Sequence, residues 1–324
     1  MNYVLITGGA GYIGSHICKF FFDEGFVPVT FDNLSKGNKW SVKWGPLELG
    51  DLSDEGRLKR LFEKYSFIGV IHLAALSSVE QSCAEPNLYY KNNVIGSFNL
   101  LQKMIEFKVK NIVFSSTAAV YGNPVYLPID EKHSTQPVNP YGDTKLTTEK
   151  LIYNYSKAYE LNFISLRYFN VSGSDFLNKI GEAHNPETHV IPLALASIKE
   201  NNVFKIYGDD YNTKDGTCIR DFIHVKDLGD AHLLSFKKLL SSGVNKFINV
   251  GCGKGFSIYE IIESVKEVTN MQLLTSVVKR RAGDPDVLIS NIDKAKKLLG
   301  WKPKYSDINV IISDSWEWYK SYSS

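Results

Sequence analysis

The stretch TGGAGYIGSH, residues 7–16, lies between the apolar run YVLIT (residues 3–7) and the amphipathic segment SHICKFFFDEG (residues 15–25). Gly9, Gly11 and Gly14 fit G-x-G-x-x-G, and Gly8, Gly11 and Gly14 fit G-x-x-G-x-x-G. In either register the glycines leave a strand and open a helix. They permit a tight turn, close backbone approach to a pyrophosphate, and intimate packing of the helix. The helix N-terminus then presents unpaired N–H groups and partial positive charge to the phosphates. The next β-rich run, VPVTFDN, ends on Asp32. A carboxylate there accepts hydrogen bonds from a ribose diol and repels a 2′-phosphate, which favours NAD over NADP.

Outward from this turn the pattern repeats. EGRLKRLFEKY is helical, IGVIHLAA a strand, LYYKNNVIGSFNLLQKMIEF a long helix, KNIVFSS a strand, GDTKLTTEKLIYNYSKAYEL a helix and NFISLRYFN a strand. Strands alternating with helices imply right-handed crossovers and a parallel sheet covered on both faces. After Asn170 the rhythm breaks. VSGSDFLNKIGEAHNPETH has the polar, Gly- and Pro-containing composition of a loop. RDFIHVKDLGDAHLLSFKKLL reads as a strand and helix returning to the sheet. NKFINVG and the later amphipathic pieces read as a smaller second domain.

The 324 residues are 44% hydrophobic and 22% charged, with a formal net charge of +2, so nothing points to a nucleic-acid or membrane surface. Four scattered cysteines and an N-terminus without a leader pattern favour a reduced, cytoplasmic protein. No carboxylate sits at i,i+4 spacing from a histidine, so no metal site is expected.

Several residues at the strand ends are candidates for chemistry. Asp51 of LGDLSD can touch an adenine edge or serve as an ordinary turn aspartate. Asn92 can reach a cofactor, although Asn92 and Asn93 suit solvent equally well. FSSTAAVYG places Ser115, Ser116 and Thr117 at the carboxyl edge of the sheet, where open α/β sheets bind ligands. NPYGDTK puts Tyr141 and Lys145 one helical turn apart behind Pro140. Alone, that is also how a surface helix begins. Beside a nicotinamide, the ammonium is expected to lower the phenol pKa toward neutrality, and the positive nicotinamide to lower it further. The phenol then exchanges a proton with a sugar hydroxyl while Thr117 holds the reacting oxygen.

TGGAGYIGSH, SSTAAVYG, PYGDTK and LRYFNVSGS resemble the extended short-chain dehydrogenase/reductase family, in particular its UDP-glucose 4-epimerases. GDDYNTKDGTCIRDFIHVKDL and RRAGDPD…KAKKLLGW extend the resemblance over nearly the whole chain. It implies an α/β fold: a doubly wound, Rossmann-type parallel sheet with a smaller α/β C-terminal substrate domain. Residues 1–175 and 217–245 would form the NAD-binding domain, and 176–216 and 246–324 the nucleotide-sugar domain. It further implies that Tyr141, Lys145 and Thr117 are catalytic. Gly8, Gly11, Tyr12, Ile13, Asp32, Asn33, Asp51, Leu52, Leu73, Ala74, Ala75, Asn92, Ser115, Tyr141, Lys145 and Tyr168 match the family's NAD contacts. Thr117, Asn170, His189, Arg220, Arg281, Asp284 and Leu288 match contacts to a UDP-sugar. The long helices would pair in a homodimer.

Three positions depart from the family pattern. Thr117 replaces a serine, keeping the hydroxyl with a stiffer rotamer. Ser77 replaces a lysine, and His189 an asparagine. Leu288 aligns where tyrosine often limits room beside the sugar's C2 substituent; it either leaves space for an N-acetyl group or simply packs. Other readings are weaker. A nucleotide-sugar 4,6-dehydratase needs Asp-Glu directly after the catalytic hydroxyl, where this chain has Ala118 and Ala119. A non-catalytic sensor would be expected to lose Tyr141 or Lys145. The frame also serves pentose and uronate epimerases, so the sugar stays open.

Overall fold

The computed structural model describes residues 1–281 and 284–322. Its strands are β1 (Tyr3–Thr7), β2 (Val27–Asp32), β3 (Leu47–Leu49), β4 (Phe67–His72), β5 (Asn111–Thr117), β6 (Asn162–Tyr168), β7 (Asn170–Ser172), β8 (Phe204–Tyr207), β9 (Ile219–His224), β10 (Asn245–Val250), β11 (Gly255–Ser257), β12 (Thr275–Val278) and β13 (Val287–Leu288). The helices are α1 (Tyr12–Asp23), α2 (Glu55–Lys64), α3 (Val79–Ala84), α4 (Pro86–Tyr89), α5 (Gly96–Glu106), α6 (Pro140–Tyr159), α7 (Val190–Glu200), α8 (Val225–Ser242), α9 (Ile258–Thr269), α10 (Asp293–Leu299) and α11 (Ile308–Tyr322).

Seven parallel strands form the main sheet in the order β10-β6-β5-β4-β1-β2-β3. The order reverses at β1: the chain runs outward through β2 and β3, then returns to the other side of β1 as β4. A crevice opens at that switch point, outside the carboxyl ends of the strands. β1 is buried on both faces, and its alternation serves both layers. Val4 and Ile6 pack with Ile17, Phe21, Leu228 and Phe236 of α1 and α8. Leu5 packs with Leu58, Leu61, Leu100, Met104 and Ile152 of α2, α5 and α6. Each such side chain contributes about 1.5–3 kcal/mol by leaving water.

A second unit has its own core of Ile191, Leu195, Ile206, Phe222, Phe256, Ile261 and Ile311, among others. It holds β8 paired with β12, and a four-stranded sheet in which β9 pairs with β7, β11 and β13. Two expectations change here. RDFIHV does not rejoin the main sheet: β9 belongs to this second sheet, although α8 behind it does pack on α1. NKFINV does join the main sheet, as edge strand β10 in register with β6 from Asn245↔Phe163 to Val250↔Tyr168. The second domain therefore cannot begin at residue 246. Buried Asp221 explains part of the sorting. It is fully buried and accepts from Cys252 N, Gly253 N, Ser290 N and Ser290 Oγ, partners that the second unit supplies.

The long helix read across residues 88–107 is three consecutive pieces: α4, a π-helical stretch Tyr90–Ile95, and α5. The wider π turn carries Asn92 and Asn93. α6 is pinned by a buried bidentate pair. Arg167 Nε and Nη2 donate to Glu149 Oε1 and Oε2 at 2.9 and 2.5 Å, and Ser165 Oγ donates to Oε1 at 3.0 Å.

Candidate active site

The glycine turn is built for close approach. Gly8 has φ +72°, and a Cβ there would lie 2.8 Å from Ala74 N. A Cβ on Gly14 would lie 2.1 Å from the Gly8 carbonyl oxygen, so glycine is what lets α1 start against the turn. Gly11 caps α1 with no side-chain hydrogen bond, and no acid occupies the first turn, so the first N–H groups stay open to an anion. Asp32, buried at the end of β2, accepts Ala10 N at 3.0 Å on one oxygen and Leu34 N at 2.8 Å on the other. Each oxygen keeps acceptor capacity for a diol. Burial raises the Asp32 pKa, and the two backbone donors offset part of that rise. Asn33 donates to Asp51 at 2.6 Å, which ties the β2 and β3 exits together.

The β4 exit is held by residues that sequence inspection passed over. Thr7 Oγ1 contacts His72 Nδ1 at 2.8 Å and accepts Leu73 N and Ala74 N, both at 3.2 Å. His72 Nε2 in turn meets Ser97 Oγ at 2.8 Å, and burial pushes the imidazole pKa down to about 3. This neutral relay fixes Leu73 and Ala74 against the glycine turn, and Leu52 is buried nearby against Gly96. Asn93 is buried rather than solvated. It accepts Leu76 N and donates to Leu76 O and Thr144 Oγ1, while Asn92 donates to it. Ser77 is exposed.

Tyr141, Lys145 and Thr117 come together where α6 begins over the end of β5. Asn139 accepts Gly142 N at 2.8 Å and Pro140 fills the first turn. Gly142 sits so close to the turn after β5 that a Cβ would lie 2.6 Å from Ala119 O. All three side chains are at least nine-tenths buried. Lys145 Nζ donates to the Ser115 carbonyl at 2.8 Å and lies 5.0 Å from the Phe114 ring centre, while Ser115 Oγ meets His232 Nε2 at 3.1 Å.

Among the protein's own groups, burial dominates at the phenol. Burial raises the Tyr141 pKa, with Tyr168 adding to the rise and a hydrogen bond with Thr117 drawing it partly back. Burial likewise lowers Lys145 to about 7, against the pull of Glu149. Taking both groups out of water favours both neutral forms. Ser116 is also fully buried, and its hydroxyl has no partner among the described residues.

The second unit brings the remaining candidates to this edge. Asn170 on β7 pairs with Phe222, and Arg220 on β9 pairs with Leu288 on β13. Leu288 packs on the cluster of Ala118, Val120, Tyr121, Ile129, Leu146 and Phe169, which includes the residue after Thr117. Arg220 Nη2 donates to Asp284 Oδ1 at 2.5 Å, so Asp284 is engaged by the arginine. The Arg281 guanidinium stands 4.1 Å from the Tyr207 ring centre. Ala282 and Gly283 of the RRAGD string lie outside the described residues. His189 caps α7 in sequence position, but its ring is turned to Glu182 and Glu187. Glu182, His184 and Glu187 had been read only as loop. No local periodicity marks them, because the loop between β7 and α7 gathers them.

β4 alone separates β1 from β5, so the crevice leads from the glycine turn to the phenol and hydroxyl. Such a crevice defines a dinucleotide-dependent enzyme acting between carbinol and carbonyl. The chain belongs to the NAD dependent epimerase/dehydratase family, whose model matches residues 4–251. It is 45% identical over 320 residues to a UDP-glucose 4-epimerase of Halalkalibacterium halodurans, covering 98% of this chain and 96% of that one. A crystal structure of UDP-glucose 4-epimerase from Brucella ovis in complex with NAD superposes with TM-score 0.95 at 44% identity, covering 98% of both chains. The UDP-Glc/GlcNAc 4-epimerase from Campylobacter jejuni superposes with TM-score 0.86 at 39% identity, covering 99% of this chain and 100% of that one.

Proposed function

We propose that this protein is an NAD-dependent UDP-hexose 4-epimerase that interconverts UDP-glucose and UDP-galactose through a 4-keto intermediate. The observation that carries the reading is local. A buried Tyr141–Thr117 pair stands at the carboxyl end of β5, followed by Ala118 and Ala119 where an elimination enzyme needs an acid and a base. The 40–45% identity to UDP-glucose 4-epimerases along the whole chain supports it.

NAD fits the glycine turn, Asp32, Asp51 and the β4 exit, and when bound it supplies the hydride acceptor and donor and, while oxidised, a positive charge. Gly8, Gly11, Tyr12, Ile13, Asp32, Asn33, Leu73, Ala74, Asn92, Ser115 and Tyr168 hold it. Tyr141, as the phenolate that the positive charges of oxidised NAD and of Lys145 would favour, takes the proton from the C4 hydroxyl and returns it after the keto sugar has turned over. Thr117 holds the reacting oxygen by a hydrogen bond. Lys145, fixed on the Ser115 carbonyl, fixes the position of the positive charge it carries when protonated. The nucleotide stays anchored while the hexose turns. Its diphosphate meets the first turn of α7, which has no side-chain cap, and its remaining contacts are Asn170, Arg220 and Arg281.

β7, residues 176–224 and those after β10 form the sugar-binding part. Ile95, Phe98, Tyr153 and Tyr159 on the α5–α6 side are exposed, and they supply the apolar face of a homodimer in the cytoplasm. Purified protein incubated with UDP-galactose and no added cofactor should form UDP-glucose, followed by coupled oxidation. A 4-keto-6-deoxy product, or turnover that consumes added NADP, would refute the reading.

A further inference from the structure

Glu182, His184, Glu187 and His189 converge within eight residues, and their ligand-capable atoms all lie within 4.8 Å of one another. His184 Nδ1 is 3.1 Å from Glu182 Oε1 and 3.8 Å from Glu187 Oε2. His189 Nδ1 is 2.7 Å from Glu182 Oε1 and 2.9 Å from Glu187 Oε1. A second observation is independent of this convergence. The Glu182 side chain is only 6% exposed, and its Oε2 is buried with no hydrogen-bond partner among the described residues. Carboxylate oxygens in such places are paired or bind a cation. The backbone under Glu182 is anchored, because Trp318 Nε1 donates to its carbonyl at 2.8 Å and the Trp318 ring packs where a Cβ on Gly181 would stand.

We propose that Glu182, His184, Glu187 and His189 bind one divalent transition-metal ion of the zinc class. Two imidazoles and two carboxylates are a closed four-ligand set for Zn2+, with bonds of about 2.0–2.2 Å and ligand atoms about 3.3–3.6 Å apart. The four His–Glu separations of 2.7–3.8 Å bracket that spacing and all the ligand atoms lie within 4.8 Å, so side-chain adjustments complete the cage. Hard cations prefer all-oxygen sites, and two nitrogens select against them. His189 is 47% exposed and leaves an entry path. The same groups now hold protons in the metal's place. Burial opposes charge on His184 and His189, but bonds to Glu182 and Glu187 outweigh it and raise them to about 9 and 10. On binding, both Nδ1 protons pass to solvent. The site also has a structural consequence. The Tyr12 ring, directly after Gly11, meets His184 edge-to-face at 6.2 Å, and the Tyr12 hydroxyl donates to Gly173 O at 2.6 Å. An ion here fastens the loop before α7 against the glycine turn.

The expectation of no metal, drawn from i,i+4 spacing, misses this arrangement because a loop, not a helix face, brings the ligands together. The test is independent of catalysis. Tag-free protein stripped with chelator is titrated with ZnCl2 by calorimetry, next to His184→Gln/Glu187→Gln. Wild type should take up one ion per chain and melt higher with Zn2+, and the double variant should bind at least about a hundredfold more weakly. Substitution by Co2+ in wild type should give the intense visible absorption of a four-coordinate ion. No saturable uptake by wild type, equal uptake by the double variant, or only the pale spectrum of six-coordinate Co2+ would overturn the proposal.

Discussion

Replacing Glu149 by Gln removes the charge opposite Arg167 while keeping the side chain's size. The pair is 1% and 6% exposed, its geometry is bidentate, and Arg167 also donates to the Tyr121 hydroxyl at 3.2 Å. Among the described residues the Tyr121 phenol is the guanidinium's other hydrogen-bond partner, and burial raises that phenol's pKa, so it carries no charge at neutral pH. Breaking a buried pair from one side costs about 3–5 kcal/mol, because the survivor is left charged in a dry site. At about 2.1 cal/mol/K per residue, unfolding of the 324-residue chain has an entropy of roughly 0.7 kcal/mol/K, so Tm should fall by about 4–7 °C.

Removing both charges is different. Glu149→Gln/Arg167→Met abolishes the desolvation of two ions as well as their attraction, so the double variant should sit within about 2 kcal/mol of wild type. Scanning calorimetry on the four proteins of this cycle is the assay. Because α6 carries Tyr141 two turns and Lys145 one turn before Glu149, the single variant should also lose rate, and the double should recover most of it. A single variant melting within 1 °C of wild type, or a double variant as damaged as the sum of the singles, would refute the idea that this pair sets α6 on the sheet.

Tyr141→Phe should reduce epimerisation by roughly two to four orders of magnitude, the range for a general acid–base group, with UDP binding unchanged by calorimetry. Near-normal turnover would remove the proton role. Thr117→Ser should retain most activity and Thr117→Val should lose nearly all of it, measured as kcat at saturating UDP-galactose; equal rates would show that the hydroxyl is idle. Leu288→Tyr adds a ring opposite Arg220 and against the Ala118–Tyr121 cluster. If wild type also interconverts the N-acetylated UDP-hexoses, the substitution should suppress that pair selectively, by a few kcal/mol at most; equal loss of both activities would show that position 288 is no gate. Lys145 titrates near 7 in the fold and near 10.5 unfolded, so between those values the unfolded chain binds the extra proton. Stability owed to this group therefore rises with pH by up to about 1.4 kcal/mol per unit from pH 7 upward. Lys145→Met should abolish that rise in urea titrations at pH 7 to 9.5, and parallel pH profiles for the two proteins would contradict it.

Most of the sheet could be read from the chain because its signals are local. The glycine turn, the acid ending β2 and the alternation of apolar runs with amphipathic segments each occupy a few residues. Strands β9 and β10 show where this stops. IRDFIHV and NKFINVG are both short apolar runs, and neither says which sheet will accept it. Asp221 decides for β9, since a carboxylate fully buried there needs the donors at Cys252, Gly253 and Ser290. The supports of the site were equally hidden. Thr7, His72, Ser97 and Asn93 form a relay between strands and helices that are distant in sequence, and none has a spacing rule.

Spacing and protonation are separate pieces of information, and the Tyr141–Lys145 pair shows it. Four residues on a helix do place both side chains at the end of β5. The inference from ammonium to phenolate assumed that proximity outweighs burial. In the fold, Lys145 donates to the Ser115 carbonyl, and the phenol is hydrogen-bonded with Thr117. With both groups dry, the phenol keeps its proton and the ammonium loosens its own. Among the protein's own groups, the proton on Tyr141 is governed first by burial and then by Tyr168, with Thr117 drawing it partly back; bound NAD would add a positive charge beside it. Thr117→Val should raise the Tyr141 pKa further, whereas Lys145→Met should move it less; the tyrosinate absorbance of each variant during alkaline titration, compared with Tyr141→Phe, distinguishes the two orders.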